Sequence, residues 1–243
     1  MTTLDDDVVI VTGASRGLGA EMAKRFAREG AAVTVTARSE SELEAVADDA
    51  EGEILVAPAD VTDEQAVREV VDRTVEEFGS VTGLVNNAGI GLLNMYDEGR
   101  ELHEVDTADF RTIVDVNVTG VFLCSKYAVP EMIEAGRGNV INVSSGLGRR
   151  GSAKWGPYVT SKWALEGMTR TQALELDDYG VNVNALDPGG RVDTGFWDHL
   201  PEDERAEILD PDVMNDAATG LLAQDPDGIT GESLPAEEWE ERL

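Results

Sequence analysis

Six runs of mostly small apolar residues recur along the chain: VVIVT at 8–12, AVTVTA at 32–37, EILVAPA at 53–59, GLVNN at 83–87, NVINVS at 139–144 and VNVNAL at 181–186. A short seventh lies near 228–234, within GITGESL. Runs rich in Val and Ile at successive positions have no face suited to water, which is the condition of strands covered on both sides in a parallel sheet. The stretches between them, near 18–29, 40–50, 63–78, 107–135 and 158–178, read as amphipathic helices. A βαβα order of this kind predicts a doubly wound α/β fold, a parallel sheet of about seven strands with helices on both faces. No repeat, low-complexity block or Pro/Gly-rich linker divides the chain. A length of 243 residues suits one such domain, spanning 1–243.

Charge restricts the partners. The chain carries 49 Asp+Glu against 19 Lys+Arg, a formal net of −30. Surface scaling spreads this to roughly one net negative charge per ~350 Å², far beyond the net charge of about 2–8 of an ordinary small domain. Such a surface repels itself at low salt, whereas at molar salt the Debye length falls to about 3 Å and screens it. The expectation is a protein adapted to a salt-rich cytoplasm. Nucleic acid and anionic membranes are not expected as partners. A single cysteine, Cys124, excludes an internal disulfide framework and agrees with a reducing compartment. No run of about 18 apolar residues and no signal-peptide pattern is seen, so a cytoplasmic location without a membrane span is expected.

The polar motifs fall at the carboxyl ends of the strands, where doubly wound folds bind ligands. After the first strand comes TGASRGLG, with Gly13, Gly17 and Gly19. Three glycines allow a tight turn and close backbone approach to a pyrophosphate at a helix N-terminus. Further on, GPYVTSKWALEGM places Tyr158 four residues before Lys162, on one helix face. A cation beside a phenol favours the phenolate, which suits proton exchange with an alcohol oxygen.

Thr12–Gly19 resembles the cofactor loop of the short-chain dehydrogenase/reductase family, in its single-domain branch. The similarity runs through Asn86–Asn87 and AGIG, DVNVTGVF with Asn117, INVSS with Ser145, the Tyr158/Lys162 pair and DPGG, nearly the whole chain. It implies a Rossmann-type fold and a catalytic set of Asn117, Ser145, Tyr158 and Lys162. Ser145, thirteen residues before Tyr158, would polarise a substrate carbonyl while Tyr158 gives it a proton. Lys162 would lower the tyrosine pKa and hold the nicotinamide ribose, and Asn117 would hold a water in a proton relay. The cofactor set implied is Gly13, Ser15, Arg16, Gly17, Leu18, Gly19, Arg38, Asp60, Val61, Asn87, Ala88, Gly89, Tyr158, Lys162, Pro188, Gly189 and Thr194. No metal is expected.

The end of the second strand carries Ala37 and Arg38 where NAD-preferring relatives commonly have an acid. With Arg16, Arg38 offers two guanidiniums to a 2′-phosphate, so NADP is expected over NAD; the alternative is pairing with Glu40 or Glu42. Asp60 resembles the aspartate that bonds the adenine amino group. At the substrate end the pattern departs from the family. Asp187 precedes Pro188, Thr194 is displaced by one residue, and the chain ends SLPAEEWEERL. Residues 189–215 read as a substrate lid. Gly146, Trp155, Phe196 and Trp197 are candidate substrate contacts, with Leu200 in the apolar wall and His199 a weaker candidate. Arg149, Arg150 and Lys154 either attract an anionic substrate or pair with acids. The reading is an NADP-dependent reductase interconverting a small-molecule carbonyl and alcohol, assembled as a homodimer or homotetramer through helices 107–135 and 158–178. A 3-oxoacyl thioester reductase is a specific version and a non-catalytic NADP sensor the rival. An epimerase or dehydratase on sugar nucleotides would need a C-terminal domain absent here.

Overall fold

A computed structural model describes residues 3–96, 98–194 and 208–243. Phe196, Trp197, His199 and Leu200 lie outside them. The seven strands are β1 (Val8–Thr12), β2 (Ala32–Thr36), β3 (Ile54–Val56), β4 (Gly83–Asn86), β5 (Gly138–Val143), β6 (Val181–Asp187) and β7 (Ser233–Pro235). They form one parallel sheet in the order β3-β2-β1-β4-β5-β6-β7. The chain therefore builds outward from β1 to β3, returns to β4 on the other side of β1, and builds outward again. β1 and β4, paired through Ile10 and Leu84, flank the switch point where their carboxyl ends open a crevice.

Alternation along each strand makes two cores. Val9, Val11, Val33, Val35, Val85 and Ile141 face Met22, Phe26, Leu43, Met214, Leu221 and Trp239. Ile10, Leu84, Val140 and Val183 face Val67, Val70, Leu123 and Met132. The covering helices are α1 (Gly17–Arg28), α2 (Glu40–Asp49), α3 (Glu64–Phe78), the short α4 (Leu93–Tyr96), α5 (Thr107–Val114), α6 (Val121–Ala135), α7 (Gly156–Leu176), α8 (Asn215–Leu222) and α9 (Ala236–Glu240). α3 starts where Asp63 accepts from the Gln65 and Ala66 amides, an N-cap worth about 1 kcal/mol. Phe26 is fully buried, and truncating it to alanine would cost about 3–5 kcal/mol.

Two expectations are corrected. The helix at 107–135 is not one regular α-helix: a π-helical segment, Asp115–Gly120, joins α5 to α6 and contains Asn117. The last strand starts at Ser233 rather than near 228, and within 228–232 the backbone bonds to the side chain of Asn184 instead. Asn184 Nδ2 donates to the Ile229 carbonyl at 2.6 Å and its Oδ1 accepts from the Glu232 amide. Thr107–Ala135 has an 18-residue window of mean hydropathy 1.2, long and apolar enough to cross a membrane by length and composition alone. Its residues Leu123, Cys124, Ala128 and Met132 are instead in the core beside α3. Burial there pushes the Cys124 thiol up to about 12.

The strands are also less apolar than their valines suggest. Asn86 Nδ2 donates to Asn142 Oδ1 at 2.9 Å, and Asn142 Nδ2 to Thr169 Oγ1 at 2.9 Å. Asn182 donates to Asn139, which reaches the carbonyls of Leu222 and Gln224. These amide bonds lock α7 and the segment after α8 onto β5 and β6, with Asn86 Oδ1 left without a partner.

Candidate active site

The crevice at the switch point is a cleft of about 1220 Å³ along the carboxyl ends of the strands. Its first wall is the loop from β1 into α1. Gly13 has φ +64, in the left-handed region that favours glycine. Gly13, Ser15, Arg16 and Leu18 line the cleft; Gly17 is half-buried and Gly19 buried, and neither leaves room for a side chain. A Cβ on Gly19 would stand 2.4 Å from Asn87 Nδ2, and one on Gly17 2.9 Å from Thr194 Cγ2. Asn87 lines the cleft too, but its amide nitrogen donates to the Thr12 and Gly13 carbonyls at 2.8 and 3.1 Å. It joins the end of β4 to the glycine loop.

At the far side of β1, Ala37, Arg38, Asp60 and Val61 line the cleft with Arg16. Asp60 Oδ1 accepts from the Thr62 amide and hydroxyl at 2.9 and 2.7 Å. Burial works against its charge, but these two bonds and nearby Arg38 hold the carboxyl below its ordinary value. Neither Arg16 nor Arg38 is in an ion pair among the described residues, Glu40 and Glu42 included.

The other end lies between β5, β6 and α7. α7 starts with Pro157 in its first turn, and its 3.6-residue repeat aligns Tyr158, Lys162 and Glu166 on one face. Lys162 is buried, its Nζ donating to the Val143 carbonyl at 2.7 Å and lying 5.5 Å from the Tyr158 ring centroid. Tyr158 and Ser145 line the cleft together, and Ser145 works against the rise of the phenol's pKa. Ser145 itself caps the 3₁₀ turn Gly146–Gly148, accepting from the Leu147 amide at 3.2 Å. Trp155 meets Tyr158 edge to face at 6.0 Å.

The electrostatics correct one expectation. Burial, aided by the Asp187 charge and opposed by Ser145, pushes the Tyr158 phenol up to about 12 instead of lowering it. Burial also pulls Lys162 down to about 8, with Glu166 pulling the other way. Desolvation is the largest cause for each group.

Asn117 stands behind the cleft wall. Its Oδ1 accepts from the Ile90 amide at 2.8 Å, and its Nδ2 donates to the Ile90 carbonyl and to Ser161 Oγ, each at 2.9 Å. The side chain is thus fully engaged with protein.

Three residues of this end were missed as a group. Glu166 accepts from Ser144 Oγ at 2.5 Å and from Ser233 Oγ at 2.8 Å. Asp187, also buried, accepts from the Gly189 amide at 2.9 Å and pairs with Arg149. Arg149 Nη1 donates to Ser233 Oγ at 2.6 Å and lies 3.7 Å from Glu166 Oε1. Of the three basic residues in this loop, Arg149 is therefore a pairing residue. The only available signal was the i+8 spacing of Glu166 from Tyr158. Pro188, Gly189 and Thr194 line the cleft beyond β6. The stem of the expected lid is closed by the Val192–Leu209 bridge.

The cleft suits a dinucleotide. Bare backbone at Gly89 and Gly146 leaves its floor open, with no atom nearer than 3.5 Å to a would-be Cβ at Gly89 and 3.9 Å at Gly146. Cations stand at one end and a tyrosine–serine–lysine set at the other.

Residues 7–205 match the family described as short chain dehydrogenase. The chain is 39% identical over 203 residues to the cis-4-hydroxycyclohexanecarboxylate dehydrogenase of Sinomonas cyclohexanicum, covering 83% of this chain and 79% of that protein. It is 36% identical over 230 residues to the L-fucose dehydrogenase of Bos taurus, covering 95% and 79%. The crystal structure of carveol dehydrogenase from Mycobacterium avium in complex with NAD superposes with a TM-score of 0.88 at 27% identity, covering 97% of each chain. The chain belongs to the short-chain dehydrogenase family. It is an NAD(P)-dependent enzyme acting on alcohols or carbonyl compounds.

Proposed function

We propose that the protein is an NADP-dependent reductase of a small-molecule ketone or aldehyde, working through Ser145, Tyr158 and Lys162. The observation that carries this is the grouping of Ser145, Tyr158 and Lys162 in the wall of one cleft, with Lys162 Nζ 5.5 Å from the Tyr158 ring centroid. A bound nicotinamide supplies the hydride in reduction and takes it in oxidation. Ser145 donates a hydrogen bond to the carbonyl oxygen. Tyr158 delivers the proton, a form of general acid catalysis worth about 10²–10⁴-fold. A phenol held near 12 stays protonated at neutral pH, which suits reduction. Lys162 orients the ribose and, as its ammonium, favours the tyrosinate left behind. Asn117 acts through the π-helical segment and Ile90, its amide holding the wall beside Lys162, where protons are replenished from solvent.

For the cofactor, Arg16 and Arg38 are in no ion pair among the described residues, and Ala37 places no carboxylate to repel a 2′-phosphate. Asp60 and Val61 receive the adenine, Ala88 and Gly89 the central ribose region, and Pro188, Gly189 and Thr194 the nicotinamide. Carveol dehydrogenase, the neighbour in complex with NAD, makes this preference a property to be read from these two arginines rather than from the family. Residues 189–215 act as the lid in a single-domain enzyme.

The relatives are named for a hydroxycyclohexanecarboxylate and for L-fucose, so membership leaves the substrate open. Phe122, Trp163, Leu174 and Tyr179 are exposed large apolar residues, 50%, 53%, 85% and 51% accessible. They lie on or just after α6 and α7, which supports a homodimer or homotetramer through those helices. The charge of −30 and the buried lone cysteine support a salt-rich cytoplasm. The test is NADPH consumption in molar KCl across ketones, aldehydes, sugars and 3-oxoacyl thioesters, with Tyr158→Phe as the blank. Cofactor binding without turnover on any carbonyl would replace the reductase by a sensor. Unfolding followed against KCl tests the setting: stability should rise with salt.

A further inference from the structure

The loop after Ser145 carries three cations with three different surroundings. Arg149 turns to the back of the site, held by Asp187, Ser233 and Glu166. Lys154 is exposed at φ +66, its backbone packed against Gly99. Arg150 lines the cleft together with Ser145, Tyr158 and Trp155. Its Nη2 lies 3.9 Å from where a Cβ of Gly146 would stand, next to the serine that polarises the carbonyl.

Arg150 makes no hydrogen bond or ion pair among the described residues. That is informative in a chain where Lys24, Arg25, Arg68, Lys126, Arg137 and Arg242 each reach a carboxylate. The acid at this end of the cleft, Asp187, is already held on one oxygen by Arg149 and on the other by the Gly189 amide. Arg149 therefore has a double effect. It neutralises the carboxylate that would otherwise capture Arg150, and it anchors the residue preceding Arg150 to β6, β7 and α7. The backbone that carries Arg150 is held in this way, while its guanidinium is left to meet a ligand as a planar, permanently charged fork.

We propose that Arg150 binds a carboxylate carried by the substrate, so that the substrate class is an oxo acid and its hydroxy acid. The carbonyl lies against Ser145 and Tyr158, and the carboxylate against Arg150. A planar monoanion matches one guanidinium in both charge and geometry. A phosphate dianion would carry a second charge into a strongly negative surface with one cation to meet it. The assignment rests on the reductase reading above and names its substrate.

Matched pairs test it: 4-oxocyclohexanecarboxylate with its carboxamide, and 4-oxopentanoate with its carboxamide, in molar KCl with NADPH. The wild type should show kcat/KM at least tenfold higher for each acid it uses than for the amide. Arg150→Gln should lose about ten- to hundredfold on the acids and no more than threefold on the amides, and Arg150→Lys should recover part of the loss. Equal use of acid and amide by the wild type, or a loss in Arg150→Gln shared by both, would overturn the assignment. So would inert acids beside reactive neutral ketones. If no carbonyl in the pairs or the wider panel is reduced, the reductase reading itself fails, and this one with it.

Discussion

At the β5–β6 end of the cleft, Lys162 donates to Val143, Ser144 to Glu166, and Arg149 to Asp187 and Ser233. At the β2–β3 end, Arg16 and Arg38 stand at the rim. The two ends need different things. Proton transfer requires donor and acceptor within hydrogen-bond reach in one orientation, so the groups must be held before substrate arrives. Recognition of a phosphate requires charge that has not been neutralised, and a local carboxylate would compete for it. One end is held by internal partners; at the other the arginines are in no ion pair among the described residues, and Asp60 is the nearby carboxylate that Arg38 feels.

The comparison breaks most visibly at Tyr158. Tyr158→Phe should keep cofactor affinity and lower kcat by about 10²–10⁴-fold, measured by NADPH oxidation; turnover within tenfold of wild type would remove the tyrosine from the proton path. At the other end, Arg16→Ala with Arg38→Asp should swing the NADPH-to-NADH preference by about 10²–10³-fold. This follows from two charge-assisted contacts at about 1.5–3 kcal/mol each, partly reduced by exposure. Unchanged NADPH affinity in titration would mean that neither arginine meets the 2′-phosphate.

Arg149→Met sharpens the contrast, because it removes the cation from two buried carboxylates. Breaking a buried pair from one side costs about 3–5 kcal/mol, so the unfolding midpoint in molar KCl should drop clearly. Asp187→Asn in the same chain should recover part of the loss. A surface arginine such as Arg68, paired with Asp72 at 3.6 Å and well exposed, should change stability by less than about 1 kcal/mol.

The smallest expected effect is a pH dependence. Lys162 falls to about 8 in the folded chain from an ordinary 10.5. Between those values the unfolded chain binds the extra proton, so Lys162 contributes stability that rises with pH from about 8 to 10.5. Tyr158 acts oppositely: its folded value of about 12 lies above the ordinary 10.0, so its contribution falls as pH rises through 10 to 12. With the lysine ammonium on the ribose as proposed, cofactor affinity should weaken by up to about tenfold per pH unit above about 8. Calorimetric titration across that range checks it, and a flat profile to pH 10 would place the ammonium outside the cofactor contact.

Much of this was legible before any coordinates. Val and Ile runs at successive positions require burial on both faces, and that condition fixed the order and class of the strands. Glycines at 13, 17 and 19, the Tyr158–Lys162 spacing and Ser145 thirteen residues earlier marked both ends of the cleft, because the chemistry there is local in sequence or repeats along one helix. The π-helical turn at Asp115–Gly120 left no mark, since its backbone pattern depends on how Asn117 bonds Ile90 across a loop.

What the sequence determined by itself is therefore the alternating architecture, the position of the cleft and the residue types able to move a proton. Tertiary structure alone decided which charges are consumed and which remain. Arg149 and Asp187 are 38 residues apart and meet because β5 lies beside β6. Whether Tyr158 titrates down toward Lys162 or up through burial depends on the density packed around both. Pairing and desolvation are properties of distance in space, and a linear order of residues does not contain that distance.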